Sequence, residues 1–466
     1  MLIGVLGTFG YRGWGRVPFS VPSIPWYFSW PYYIFPVPGF DARWGLPALL
    51  IAGLAAAGVV ALARAPAPAP LARLRLLRLP RWAWLAASLL LAFVLDLAVA
   101  AIRGGPAAWS EPISHPGEYA PAAGLVGPIP TFLGQFAERA PLIGGFVAQH
   151  PPGAVIFYSL VARVCAGLTA SALATVAVAC LGLLATAALA RDELRDEGEE
   201  VEEGPRLAVV FWVLCPAVIL YSATSADAMW APLLAGAALA AYRGLLRRSV
   251  GWTLAGGVLL WLASMATYAA VLVAPFLLVR AVAVARSGSG SVVEAAGANG
   301  GSGQGDWPWV LRWAALTAAT VLALVALLQV ATGYDVIATT RAVAKFWATA
   351  PGGGARNPLP WVFGAPVAFL AMLGFPLAAA LLAAWWHALR QRAWGGLEVA
   401  FLACIVVGVA WGHSKGEVER MWGFLLPFAV VIATRQLTRW RANPAVVASL
   451  LLAQTLAVET LFYTRW

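Results

Sequence analysis

The sequence predicts an all-α, polytopic transmembrane bundle of about 11–13 spans. Three observations carry that prediction. The 466 residues are 61% hydrophobic and only 11% charged, and mean hydropathy is +0.78, far above what a water-soluble core needs. Apolar runs of roughly 17–25 residues, the length that crosses a hydrocarbon layer, recur from Trp44 to the last residues. The basic residues stand mostly in short connections between those runs, which is a topology signal. The net charge of +10 therefore does not suggest nucleic acid, because it forms no continuous phosphate-binding face. The lysines are Lys345 and Lys415 alone. The cysteines Cys165, Cys180, Cys215 and Cys404 lie in apolar segments and read as small buried hydrophobes without disulfide or metal spacing.

Residues 1–43 are rich in proline and aromatics, as in Pro25-Trp26-Tyr27-Phe28-Ser29-Trp30-Pro31-Tyr32-Tyr33. Proline forbids a continuous helix there, and Trp and Tyr favour the headgroup layer, so the segment reads as interfacial. Residues 44–81 supply a first span, Trp44 to Ala63, then an Ala-Pro linker and the cluster Arg73, Arg75, Arg78 and Arg81. Residues 82–466 form the core. Its first span, Trp82 to Ile102, contains Asp96 and leads into a long loop-like region reaching His150. His150-Pro151-Pro152-Gly153 then opens a short helix and a full span to about Ala190. An acidic run over 191–206 reads as a solvated loop. Spans at 207–222 and 227–243 follow, then two within 252–285 separated by a polar break at Ser264 to Tyr268. A Gly/Ser-rich flexible linker covers 287–305. Spans at 309–332, 361–388, 396–412, 421–437 and 444–463 complete the chain.

With the Arg73–Arg81 cluster in the cytoplasm, and the short helix after Gly153 treated as non-crossing, alternate threading puts most arginine-bearing loops inside. The outer side then collects Glu111, Glu118, Tyr119, His150, Asp227, the loop 333–360 and the charged stretch 413–420. Charges placed between membrane-length apolar runs cost a few kcal/mol each in lipid, so they need a wet pocket and partners. In the loop 333–360, Arg341, Lys345 and Arg356 with Asp335, aromatics and Gly352-Gly353-Gly354 suit a phosphate clamp or an amphipathic surface helix. His413, Lys415, Glu417, Glu419 and Arg420 pack ionisable side chains against Met421-Trp422, and Arg420 pairs with a glutamate or meets substrate. Asp227 begins a span, where an N-cap is one role for it. A loop carboxylate such as Glu118 has the chemistry of a general base for transfer to a hydroxyl, and Asp96, facing the protein interior, is a second candidate.

The acid-Tyr element Glu118-Tyr119 in a long first outer loop, followed by His150-Pro151-Pro152-Gly153 before an apolar helix, resembles the GT-C integral-membrane glycosyltransferases. Four stretches resemble an uncharacterised bacterial branch of that superfamily: His150 to Gly153, Gly333-Tyr334-Asp335, Gly416 to Trp422, and Glu459 to Trp466. The resemblance covers residues 82–466. It implies a GT-C-like bundle with a long first extracytoplasmic loop in the bacterial plasma membrane, and an active site on the outer face. It implies a sugar donor linked to polyprenyl phosphate, and a lipid, glycan or protein acceptor. Glu118 or Asp96 would be the base; Tyr119, His150, Asp227, Asp335, Arg341, Lys345, Arg356, His413, Lys415, Glu417, Glu419 and Arg420 would contact substrate. Members differ in metal use, so a divalent cofactor stays open. A lipid-linked sugar flippase and a non-catalytic scaffold subunit are the alternatives.

Overall fold

The computed structural model describes residues 33–34, 40, 42–63, 80–194, 203–223, 225–287, 306–349, 359–411 and 418–463. The long helices are α1 (Ala42–Ala63) and α2 (Arg81–Ala101); a short turn α3 (Tyr119–Ala122) and α4 (Phe136–Ile143) follow in the first loop. Then come α5 (Gly153–Val164), α6 (Leu168–Cys180), α7 (Gly182–Leu194), α8 (Glu203–Val213), α9 (Pro216–Ser222), α10 (Asp227–Leu246) and α11 (Val250–Ser264). A 3-10 turn over Tyr268–Leu272 leads into α12 (Val273–Ser287). The remainder is α13 (Trp307–Thr332), α14 (Val336–Thr349), α15 (Leu359–Leu373), α16 (Phe375–Arg390), α17 (Leu397–Ala410), the short α18 (Val418–Met421), α19 (Leu426–Arg439) and α20 (Pro444–Leu461). Tyr33–Ile34 pairs antiparallel with Phe462–Tyr463.

Among the described residues seven helices are long and apolar enough to cross a membrane, or eight if the bent pair α8–α9 is one span. Four shorter apolar helices accompany them, within α5, α11, α15 and α17. This is the architecture of an integral membrane protein. Several expected spans are interrupted. The run 207–222 bends by 47°, because Cys215 is extended (ψ 125°) and Pro216 has no N–H to continue the ladder. The run 361–388 breaks at Gly374, whose φ is +99°. The run 421–437 starts as a turn, and its regular helix begins only at Leu426. The polar break before Tyr268 and the short helix α5 both appear where the sequence puts them. After α5, Gly167 at φ +112° turns the chain into the 27-residue span Leu168–Leu194.

The region 103–150 is not an open loop. It folds into short helices around a second apolar core, in which Tyr119, Phe132, Phe136 and Tyr158 pack with Trp230 and Tyr334. The main core fills the bundle, with Leu95, Phe211, Tyr242, Phe401 and Trp422 among its buried members. The first loop is thus a cap seated on the starts of α5 and α10 and the ends of α11 and α13.

The acidic run also differs from the expected solvated loop where it is described. Asp192 and Glu193 lie on α7 and are paired. Asp192 takes Arg243 at 2.6 Å and Arg247 at 2.8 Å. Glu193 takes Arg435 at 2.9 Å and the Tyr242 hydroxyl at 2.7 Å. Arg435 also meets Glu398 at 3.1 Å, Arg248 meets Asp306 at 2.5 Å, and Arg280 donates to Tyr242. The ends of α7, α10 and α19 and the starts of α13 and α17 are therefore one charged end of the bundle. The 20 residues of α10, at about 1.5 Å each, set Asp227 roughly 30 Å away at the other end. Of the cysteines, Cys180, Cys215 and Cys404 are buried and Cys165 is exposed, a departure from the expected burial.

Candidate functional site

The end opposite the arginines brings together residues from four separated parts of the chain. Asp227 is the first residue of α10, one place beyond the N-cap, so its carboxylate turns outward and does not cap. Its Oδ1 accepts from Trp230 Nε1 at 3.2 Å, one helical turn along. Its Oδ2 accepts from Ser225 Oγ at 3.2 Å and lies 3.3 Å from Arg420 Nε. Ser225 Oγ in turn accepts from the Asp227 N–H at 3.1 Å and from Arg420 Nη1 at 3.3 Å. The side chains of Arg420 and Asp227 are 9% and 17% exposed, so the ion pair is screened little. The short helix α18, which carries Arg420, is anchored to the start of α10 through this pair. Glu419 is itself buried on α18.

Tyr119 is the hub. Its ring is edge-on to Trp230 at 5.9 Å and to His150 at 6.0 Å, and stacks with Tyr158 at 6.5 Å. Burial pushes its hydroxyl well above the ordinary tyrosine range, and the charges of Asp227 and Glu118 push it the same way against Arg420. It is a neutral phenol facing two carboxylates. Tyr158 is raised too, by burial first, despite its 2.9 Å bond with Thr175. His150 is held below its usual pKa by burial, with Arg420 adding to the lowering and Asp227 opposing it. Its ring is partly exposed, and Nδ1 is buried without a hydrogen-bond partner among the described residues. Glu118, half-buried, precedes α3 in extended conformation.

Backbone contacts hold the two loops in place. Phe146 N–H donates to the Gly117 carbonyl at 2.8 Å. A Cβ on Gly145 would lie 2.5 Å from the Gly117 Cα, and both glycines have positive φ, so two backbones meet here with no room for a side chain. Gly153 N–H donates to the Met265 carbonyl at 2.6 Å. His150 and Glu118 are thereby set by main-chain stitches to each other's loop and to the end of α11.

Other expected site residues fall elsewhere. Asp96 is fully buried on α2, where Oδ2 accepts from Cys180 Sγ at 3.6 Å. Asp335 caps α14, its Oδ1 accepting the N–H groups of Ile337 and Ala338 at 2.8 Å each. Arg341 and Lys345 stand one turn apart on the exposed face of α14. That helix is tied to the cap by Trp347 Nε1, 3.3 Å from the carbonyl of Gln149. Arg356, His413, Lys415 and Glu417 lie outside the described residues.

Ser225, Trp230 and Tyr158 belong to the site and were not singled out from sequence. The signal for Trp230 was its i,i+3 spacing from Asp227; Tyr158 had none. Among the described residues no group of three or more His, Cys, Asp or Glu is placed to hold a metal ion. No family model, no curated protein and no solved structure matches the chain.

Proposed function

We propose that this chain is a polytopic membrane glycosyltransferase of the GT-C kind, moving a sugar from a polyprenyl-phosphate carrier to a hydroxyl acceptor. The observation that carries the reading is the convergence of Glu118, Tyr119, His150, Asp227 and Arg420 on one end of the bundle. Partly exposed carboxylates beside buried aromatic rings are the chemistry of a sugar site, since rings pack on C–H faces and carboxylates accept from hydroxyls.

Glu118 takes the proton from the acceptor O–H as that oxygen bonds to the anomeric carbon. The bond from that carbon to the phosphate oxygen breaks on the opposite face, and its electron pair leaves with the phosphate. Configuration at the sugar inverts. His150, neutral, and Tyr119, a phenol, supply hydrogen bonds without adding charge, and Arg420, fixed by Asp227, supplies a preorganised positive charge. Arg341 and Lys345 serve the phosphate from the neighbouring α14.

The test is transfer by purified protein from polyprenyl-phosphate sugars. Glu118→Gln keeps the shape and hydrogen bonding of the side chain but removes the base, so turnover falls by about 10²–10⁴ with unchanged unfolding. Full turnover in Glu118→Gln removes the assigned base. Carrier translocation without transfer, in wild type, replaces the enzyme with a flippase.

A further inference from the structure

Three helices of the charged end stop in the same way. α10, α16 and α19 each close with an N–H donating to the carbonyl five residues earlier: Ser249 to Gly244 at 3.1 Å, Ala393 to Ala388 at 2.9 Å and Ala442 to Leu437 at 3.0 Å. That closure puts the residue before the donor in the left-handed region, where glycine is the usual occupant. Here the occupants are Arg248 (φ +49°), Arg392 (φ +54°) and Arg441 (φ +52°). Among the described residues they are the only ones besides glycine with positive φ. Each position therefore holds a guanidinium against its backbone preference.

For Arg248 the protein supplies the counter-charge, since the guanidinium meets Asp306 at 2.5 Å. Arg392 and Arg441 are exposed, as are their neighbours Arg390 and Arg439. Among the described residues no acidic side chain pairs with any of these four.

The two unpaired ends stand side by side. α16 and α19 pack against each other. The turn after α16 accepts from Arg280 at the Gly395 carbonyl, and Arg435 of α19 reaches Glu398 just beyond that turn at 3.1 Å. Exposed indoles surround the cations. Trp386 and Trp394 flank Arg390 and Arg392, and Trp440 stands between Arg439 and Arg441. The Arg390 guanidinium lies 5.2 Å from the centre of the Trp386 ring. Exposed Leu382 and Leu389 continue the α16 surface below them. Apolar side chains, then indoles, then cations is the order of a surface that passes from hydrocarbon into a headgroup layer. The forked guanidinium matches phosphate oxygens. A choline lipid brings its own cation to its phosphate, so it gains less from an arginine than an anionic lipid does.

We infer that the adjoining ends of α16 and α19 seat the phosphate of an anionic phospholipid from the leaflet at this end, with Arg392 and Arg441 as the anchoring side chains. The inference is independent of the glycosyl-transfer reading. The chain carries one rival anion, the acidic run Asp196 to Glu202, which lies outside the described residues.

The full chain is extracted in mild detergent from vesicles of mixed phosphatidylcholine and phosphatidylglycerol, and the lipids that stay with it are counted by mass spectrometry. Wild type should be enriched in phosphatidylglycerol. Arg392→Gly or Arg441→Gly should lower the enrichment about fivefold, and the double variant about thirtyfold. Arg248→Gly, which loses only the Asp306 pair, should leave the enrichment unchanged. Glycine suits the left-handed backbone, so in phosphatidylcholine alone the double variant should unfold at or above the wild-type midpoint. Added phosphatidylglycerol should raise the midpoint of wild type more than that of the double variant. Asparagine, which also tolerates this conformation, replaces glycine in a second set should a glycine variant not fold.

Undiminished enrichment in the double variant overturns the inference. So does a midpoint lowered equally in both lipids, which would mean that the arginines serve partners inside the protein. Glu197→Gln, Glu199→Gln, Glu200→Gln and Glu202→Gln together should leave the enrichment at its wild-type level. Enrichment that appears only in that variant would give the arginines to the acidic run and leave the lipid without a seat.

Discussion

Gly153→Ala tests whether main-chain contact, more than side-chain packing, positions the cap. An added Cβ would sit 2.5 Å from the Met265 carbonyl oxygen, 2.8 Å from its carbon and 3.1 Å from the Ala266 nitrogen. All three are backbone atoms, so no rotamer change relieves the clash. Ordinary contact begins at 3.4 Å, so the two segments must part by close to an ångström. The hydrogen bond from Gly153 N–H, 2.6 Å at present, then stretches to the limit of a real bond. Its loss costs about 1 kcal/mol and the overpacking about 1–3 kcal/mol. Alanine's helix preference returns at most about 1 kcal/mol, and less at a first helical residue. The net expectation is a destabilisation of about 1–3 kcal/mol, read by denaturant titration in detergent. The same displacement carries Pro151 and His150 with it. A misplacement near 1 Å costs about a hundredfold in a positioned reaction, so sugar transfer should fall further than stability does. Gly53→Ala is the control. It lies inside α1 with nothing within 4 Å of its added Cβ, and should be neutral or stabilising by up to about 1 kcal/mol. Gly153→Ala behaving like Gly53→Ala would refute the stitching argument.

Two further outcomes are expected. Arg435→Met strands Glu193 and Glu398, whose side chains are only 8% and 12% exposed. It should cost about 3 kcal/mol, the low end for a broken buried pair because Arg435 itself is a quarter exposed. Adding Glu193→Gln should recover part of that loss, and strictly additive unfolding free energies would show that the network is not coupled. His150 provides a pH signature. Its pKa is lowered in the folded protein, so above about pH 6.5 both folded and unfolded states carry it neutral. As pH falls below that value the unfolded chain takes the proton first, and stability is lost. Unfolding midpoints measured downward from pH 7 should therefore drop more in wild type than in His150→Gln; identical slopes would mean that His150 is not held neutral.

Much of the bundle was legible because apolar length is read directly by the bilayer's thickness. The long apolar helices and the break at Ser264–Tyr268 follow from that one rule. The bends at Cys215 and Gly374 did not, since a window of apolar residues looks the same whether or not a proline or glycine interrupts its ladder. Asp192 and Glu193 looked solvated because their partners Arg243, Arg247 and Arg435 are distant in sequence. For the site, Glu118, Tyr119, His150, Asp227 and Arg420 could be proposed as polar groups stranded among apolar runs. The contact of Asp96 with Cys180 could not, because depth within a span does not say which way a side chain opens.

The cap rests on glycines at two places. Glu118 follows Gly117, and His150 precedes Gly153 by three residues. In both places a missing Cβ lets one backbone touch another, at Gly145 and at Met265. A carboxylate and an imidazole held through main-chain hydrogen bonds vary in position less than ones held by long side chains, as the proposed transfer would require. Beneath them lies an aromatic core, with Tyr119 ringed by Trp230, Tyr158 and His150. Stitching fixes where the polar groups stand, and the aromatic floor fixes their charge states, leaving a neutral His150 and a neutral Tyr119 beside carboxylates. A variant that keeps the stitches but breaks the floor, such as Trp230→Leu, should therefore leave His150 in place while bringing its pKa back toward the ordinary value.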